Sequence, residues 1–209
     1  VRLSYAASDM VTINALVVNG VNEDLDPDRS PDLGLQVALA PSDAFFVALG
    51  WYGSPIEPDN KFWANFFDLV ITANSGPVSV VFNADLGLGD AGGTGYTYYG
   101  LSLAGRYAVS DSFGVALRGE YLGDPDLAAG GFGKSLITGT LTFDYIPFES
   151  GNLIFRLDNR VEAAEANTFI NKDAVSAPLD PTDPTSPSVF VANKKTDFQS
   201  VLGVVVKTN

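Results

Sequence analysis

Neither cysteine nor histidine occurs anywhere in the chain. Their absence removes Ser-His-Asp and Cys-His nucleophile systems, and with them thiolate and imidazole metal sites. It also leaves no material for a disulfide framework. Positive charge is scarce: 12 Lys and Arg stand against 25 Asp and Glu, for a formal net charge of −13. That balance excludes a surface built to neutralise nucleic-acid phosphates. Yet charged residues reach only 18% and hydrophobic ones 46%, which is too apolar for a disordered acidic chain. Long apolar runs are missing too. None approaches the ~18 residues of a transmembrane helix, and the longest, such as Val78-Ser79-Val80-Val81-Phe82, are strand-sized. The 209 residues suit a single all-β domain, 1–209. No signal peptide is visible, and Val1 falls inside an expected strand, so the chain reads as processed or incompletely covered.

What is present is alternation. In Phe113–Tyr121 one face reads Phe, Val, Leu, Gly, Tyr and the other Gly, Ala, Arg, Glu. In Leu153–Glu162 the same split sets Leu, Phe, Leu, Asn, Val against Ile, Arg, Asp, Arg, Glu. Period-2 patterning of this kind marks β-strands. It predicts eleven, at 1–6, 10–20, 32–40, 44–53, 62–74, 77–87, 96–109, 112–123, 134–146, 152–163 and 196–208. Their connections alternate between short turns rich in Ser, Asp and Gly and longer loops at 21–31, 54–61, 88–95, 124–133 and 164–195. An A-x-S-D motif recurs at the turns holding Asp9, Asp43 and Asp111, spaced by 34 residues and by twice that. One hairpin and one long loop per repeat describe an up-and-down meander.

Strands this long exceed those of ordinary globular sheets and match the ~9–11 residues that a tilted strand needs to cross a bilayer. Short turns on one side and long loops on the other are the outer-membrane arrangement, against which a soluble β-sandwich is the rival. Aromatic residues collect at strand ends on the apolar face: Phe45, Tyr107, Phe113 and Tyr145 beside the short turns, Trp51, Trp63, Tyr99 and Tyr121 toward the long loops. Two such belts are expected at the two headgroup levels of a membrane. Arg2, Arg106, Arg118, Arg156 and Arg160 fall mid-strand on the polar face, which suits a confined aqueous lumen better than an open solvated sheet. The expected fold is therefore all-β, a transmembrane up-and-down antiparallel β-barrel with short periplasmic turns and long outer loops. Eleven is an odd number and bacterial single-chain barrels close on even ones, so at least 12 strands are expected, with one or more before Val1.

The residues Leu16-Val17-Val18-Asn19-Gly20 running into an acidic loop, Arg106-Tyr107-Ala108-Val109-Ser110-Asp111-Ser112-Phe113, and Leu117-Arg118-Gly119-Glu120-Tyr121-Leu122-Gly123-Asp124 carry a resemblance. Along nearly its whole length the chain resembles the outer-membrane porins grouped as putative β-barrel porin-2 (OmpL-like). The family pattern differs in two respects, its earlier strands and a terminal aromatic; this chain ends Val206-Lys207-Thr208-Asn209. The resemblance implies a bacterial outer-membrane channel for passive diffusion of small polar or ionic solutes, with outer-membrane lipid as its surroundings and a homo-oligomer, a trimer, as its assembly. A closed structural or adhesion barrel without transport is the alternative.

The expected pore-lining set is Asp68, Asp85, Arg106, Arg118, Glu120, Asp144, Arg156, Asp158, Arg160 and Glu162. These charges either set up a transverse field on the pore wall or pair with one another to satisfy a polar lumen. Acids outnumber arginines in the set, a lean toward cations. The 164–195 loop, with its stiff Asp180-Pro181-Thr182-Asp183-Pro184-Thr185 stretch, reads as a constriction, a surface epitope or a protomer contact. No cofactor is expected, apart from Ca²⁺ at Glu23, Asp24, Asp26 and Asp28, which lack EF-hand spacing. Carboxylate pairs such as Glu120 and Asp144 lack a substrate cleft, and the glycine-rich loops precede no helix, so no enzyme is expected.

Overall fold

The computed structural model describes residues 1–19, 30–56, 62–91, 93–128, 133–170, 176–178, 188–190 and 192–207. Eleven strands form one antiparallel sheet in which every neighbour in space is a neighbour in the meander. They are β1 (Arg2–Ala6), β2 (Val11–Val18), β3 (Asp32–Ser42), β4 (Phe45–Ile56), β5 (Phe62–Ser75), β6 (Val78–Ala91), β7 (Thr94–Ser110), β8 (Phe113–Gly123), β9 (Ser135–Tyr145), β10 (Leu153–Ala164) and β13 (Thr196–Val206). Two short strands, β11 (Ser176–Pro178) and β12 (Ser188–Phe190), pair separately within the long 164–195 connection. The sheet is open, with β1 and β13 as its edges. The eleven strands are those the alternation predicts, and the sheet stands open where a closed barrel of at least twelve was expected.

The turns follow from their residues. Ser8 Oγ accepts the Met10 and Val11 amides at 3.2 and 3.1 Å, and Ser110 Oγ accepts the Ser112 amide at 3.3 Å. The serine of the repeated motif therefore satisfies turn backbone that the ladder cannot reach. At two of the three motif copies the register slips, between Leu39 and Ser42 and between Ala108 and Ser110, as at a β-bulge.

One connection differs from expectation. Residues 88–95 do not form a long loop; β6 and β7 run on to Ala91 and Thr94 and leave a two-residue turn. Gly93 has φ +93° there, and its amide donates to Asp90 Oδ1 at 2.5 Å. Two strand glycines here are covered by cross-strand rings. A Cβ on Gly87 would sit 2.1 Å from the Tyr98 ring, and one on Gly89 would sit 2.2 Å from that of Tyr96. An aromatic side chain laid over a strand glycine supplies the packing that the glycine lacks.

Burial is inverted relative to a water-soluble sheet. Among the described residues, the buried aliphatic side chains are Ala48, Ile154 and Ala164 besides Pro55, whereas Asp32, Asp124, Thr138, Thr140, Asp144 and Glu162 are buried and polar. Large apolar side chains such as Leu103, Leu117, Val161 and Leu202 are exposed. Cross-strand register shows that they share one face. All eight residues of the two expected aromatic belts lie on this exposed apolar face, with Tyr99 and Tyr121 rings 6.0 Å apart and Tyr145 and Phe155 rings 6.4 Å apart.

Candidate channel wall

Cα partners in an antiparallel ladder point to the same side, so following the register from strand to strand draws rows across the polar face. One row runs Ala104, Arg118, Thr140, Arg160, Gln199. On one side of it lies Ser102, Glu120, Thr138, Glu162, Asp197; on the other lies Arg106, Ala116, Thr142, Asp158, Val201. Beyond these, Asp144 opposes Arg156. On β5 and β6, Asp68 opposes Asp85. All ten residues of the expected set therefore share one face, in two groups: a carboxylate pair on β5 and β6, and eight mixed charges on β7 to β10.

The mixed group is built on strand alternation of size as well as charge. β8 and β10 carry the long charged side chains, while β9 between them offers Thr138, Thr140 and Thr142. Arg118 lies 3.2 Å from Glu120 and Arg160 lies 2.7 Å from Glu162, both pairs running along a strand. The Thr142 hydroxyl donates to Asp158. Asp144 is the hub. Arg156 donates Nε–H to its Oδ1 at 2.8 Å and Nη2–H to its Oδ2 at 3.0 Å, a bidentate fork. Arg106 Nε approaches the same carboxylate at 3.6 Å from two strands away. It crosses β8 over Gly114, where a Cβ would lie 2.5 Å from the guanidinium. The bare glycine lets the guanidinium lie in this position, and any Cβ there would push it aside. These groups line a cavity of about 390 Å³ holding Arg106, Arg118, Arg156, Arg160, Asp144 and Asp158. Arg118 Nε and Glu120 Oε2 are buried against one another, whereas Arg160 Nε and the Thr140 hydroxyl are buried without a hydrogen-bond partner among the described residues.

On β5, Asp68 Oδ1 accepts the Asn83 amide at 2.6 Å. Towards β1 the polar face continues as a chain of hydrogen bonds. Arg2 Nη2 and Ser4 Oγ donate to Asn14 Oδ1 at 3.2 and 2.6 Å, and Asn14 Nδ2 donates to Gln36 Oε1 at 3.1 Å. Aromatic residues also stand on this face, among them Tyr52, Phe66, Tyr96 and Tyr98. The expected set omitted them, although parity carried the signal: Phe66 is two residues from Asp68, and Tyr98 is four from Ser102. The acidic stretch Glu23, Asp24, Asp26 and Asp28, proposed for Ca²⁺, and Asp180–Thr185 lie outside the described residues.

The family model described as "Putative beta-barrel porin-2, OmpL-like" matches residues 1–192. The chain belongs to that family. No curated protein matches it. Membership agrees with the porin-like sheet: an all-β meander with its charges on one face and its aliphatic side chains bare on the other.

Proposed function

We propose that this porin-family chain forms part of a β-barrel in the bacterial outer membrane, with its polar face turned to a water-filled channel that passes small polar or ionic solutes passively. The observation that carries the reading is the inverted polarity. Leu103, Leu117, Ile137, Val161 and Leu202 are more than half exposed on one face, while Asp144 and Glu162 are under one-tenth exposed on the other. Apolar outside and polar inside is the arrangement of an outer-membrane channel. The Arg106, Arg118, Arg156 and Arg160 side chains stay 38–43% exposed on this face, which suits a wall against a polar medium. In this reading Asp68, Asp85, Arg106, Arg118, Glu120, Asp144, Arg156, Asp158, Arg160 and Glu162 line the channel. The wall is sorted laterally, acids alone on β5 and β6 and four arginines balanced by four acids on β7 to β10, so the β5 and β6 side would draw cations. Closure of the open sheet, a trimeric assembly, and operation without cofactor or catalysis complete the proposal.

The test is single-channel conductance and reversal potential of the detergent-purified protein in a planar bilayer under a salt gradient. Stable conductance steps are expected. Insertion shown by protease protection without any conductance would refute a channel and favour a closed barrel that anchors or adheres.

A further inference from the structure

A second cavity opens on the polar face away from the mixed charges of β7 to β10, about 370 Å³ in volume, within the range of small-molecule sites. Its floor includes Gly34 and Gly50, its polar rim is Arg2, Asn14, Gln36 and Asp68, and Tyr52 and Phe66 stand beside it. Gln36, Gly50 and Asp68 occupy one row on three successive strands. The missing side chain at Gly50 therefore leaves a gap of about 10 Å between an amide and a carboxylate, two strand spacings wide. A Cβ placed on Gly50 would reach Asp68 Oδ2 at 3.8 Å, ordinary contact, so the glycine is not demanded by crowding. Its φ is not among the positive ones either. What the glycine provides is space.

The walls of that space are fixed in advance. Gln36 uses its carbonyl oxygen on Asn14, which leaves its NH₂ to donate. Asp68 is held by Asn83 through Oδ1, with Oδ2 beside the gap. The Tyr52 hydroxyl donates to Asp32, a carboxylate only 2% exposed, which pins the ring. Phe66 packs 6.5 Å from Tyr98, itself lying over Gly87.

We propose that this cavity binds a neutral, polyhydroxylated ring, a sugar. A hydroxyl both donates and accepts, so a run of hydroxyls satisfies the amide donor on one side of Gly50 and the carboxylate acceptor on the other. Ring C–H groups carry slight positive charge and pack on the negative faces of Tyr52 and Phe66. The rim brings one cation and one anion, Arg2 and Asp68, so no net charge is called for. The inference rests on reading this face as the solute-exposed wall of a channel.

The test is saturation-transfer NMR on the detergent-solubilised protein with glucose, and with acyclic sorbitol as the control. Transfer to glucose C–H protons is expected, well above that to sorbitol. Tyr52→Ala or Phe66→Ala should weaken binding about three- to tenfold. Gly50→Val should abolish it by filling the gap. Phe67→Ala, on the apolar face of the same strand, should leave it unchanged. No transfer, equal transfer from both polyols, or binding indifferent to Gly50→Val in a variant with wild-type strand content would overturn the proposal. Conductance of the same preparation keeps the two readings apart. Normal channels without glucose transfer defeat the sugar site alone, whereas transfer without channels defeats the channel and leaves the site standing.

Discussion

The charge hub at Asp144 should be the point at which the polar wall is most sensitive to a change of one atom. Asp144→Asn keeps the shape of the side chain and removes its charge. The carboxylate is 4% exposed and engages Arg156 through two hydrogen bonds of 2.8 and 3.0 Å, with Arg106 3.6 Å away. A hydrogen bond to a charged group is worth about 1.5–3 kcal/mol net, and stripping one partner from a fully buried pair costs about 3–5 kcal/mol. The two arginine side chains are 41% and 39% exposed, so water can rehydrate them and the upper figures do not apply. The expected loss is therefore about 2–3 kcal/mol, read as a shift of the urea midpoint for unfolding from lipid vesicles. A double-mutant cycle with Arg156→Gln isolates the pair, and a coupling of about 1–2 kcal/mol is expected. Glu120→Gln is the built-in comparison. Its single 3.2 Å contact with Arg118, both side chains about a third or more exposed, should be worth at most about 1 kcal/mol. Asp144→Asn costing less than about 0.5 kcal/mol, or a cycle that is strictly additive, would refute the assignment of Asp144 as the hub.

Further outcomes follow from other parts of the sheet. Leu117→Arg, on the bare apolar face at 64% exposure, should cost about 2–4 kcal/mol of stability in a bilayer and far less in a soluble sheet, so equal stability in vesicles would show that this face meets no lipid. Neutralising Asp68 and Asp85 together should move the reversal potential toward anions, and Arg118→Gln with Arg160→Gln toward cations; no movement in either pair would remove these residues from the permeation path. Gly87→Val should force the Tyr98 ring off its strand and cost about 1–3 kcal/mol, largely recovered in the double variant with Tyr98→Ala, and thermal unfolding of the set measures both. Gly114→Leu should displace Arg106 from Asp144 and lower stability by about 1 kcal/mol or more; the same change in an Arg106→Ala background should cost less, and equal costs would deny the crossing.

Much of this sheet could be read from alternation alone, because each strand has one apolar and one polar face. Parity within Leu153–Ala164 is enough to put Arg156, Asp158, Arg160 and Glu162 together, whatever lies beside them. Parity says nothing about neighbours, however. That Arg106 reaches Asp144 across an intervening strand depends on inter-strand register and on the glycine at position 114, neither of which a single sequence displays. That β6 and β7 run on through residues 88–95 is hidden for the same reason. Gly87 and Gly89 weaken a strand when considered locally and hold one when Tyr98 and Tyr96 lie opposite, and the opposition is a fact of register. The rings of the polar face are hard to read from sequence because aromatic residues at strand ends fit a membrane belt, whereas these do not. Phe66 and Tyr98 sit instead among charges.

The one-sided charge of β10 has a consequence for assembly. Slipping its pairing by a single residue would exchange its two faces, sending Arg156, Asp158, Arg160 and Glu162 outward and Phe155, Leu157 and Val161 inward. In water such a slip changes little, since both faces would remain hydrated. Within hydrocarbon, the two arginines alone would add about 4–8 kcal/mol. In the proposed membrane setting the lipid would act as a proofreader: it would discard misaligned pairings that an aqueous intermediate tolerates, and correct alignment would become a product of insertion itself.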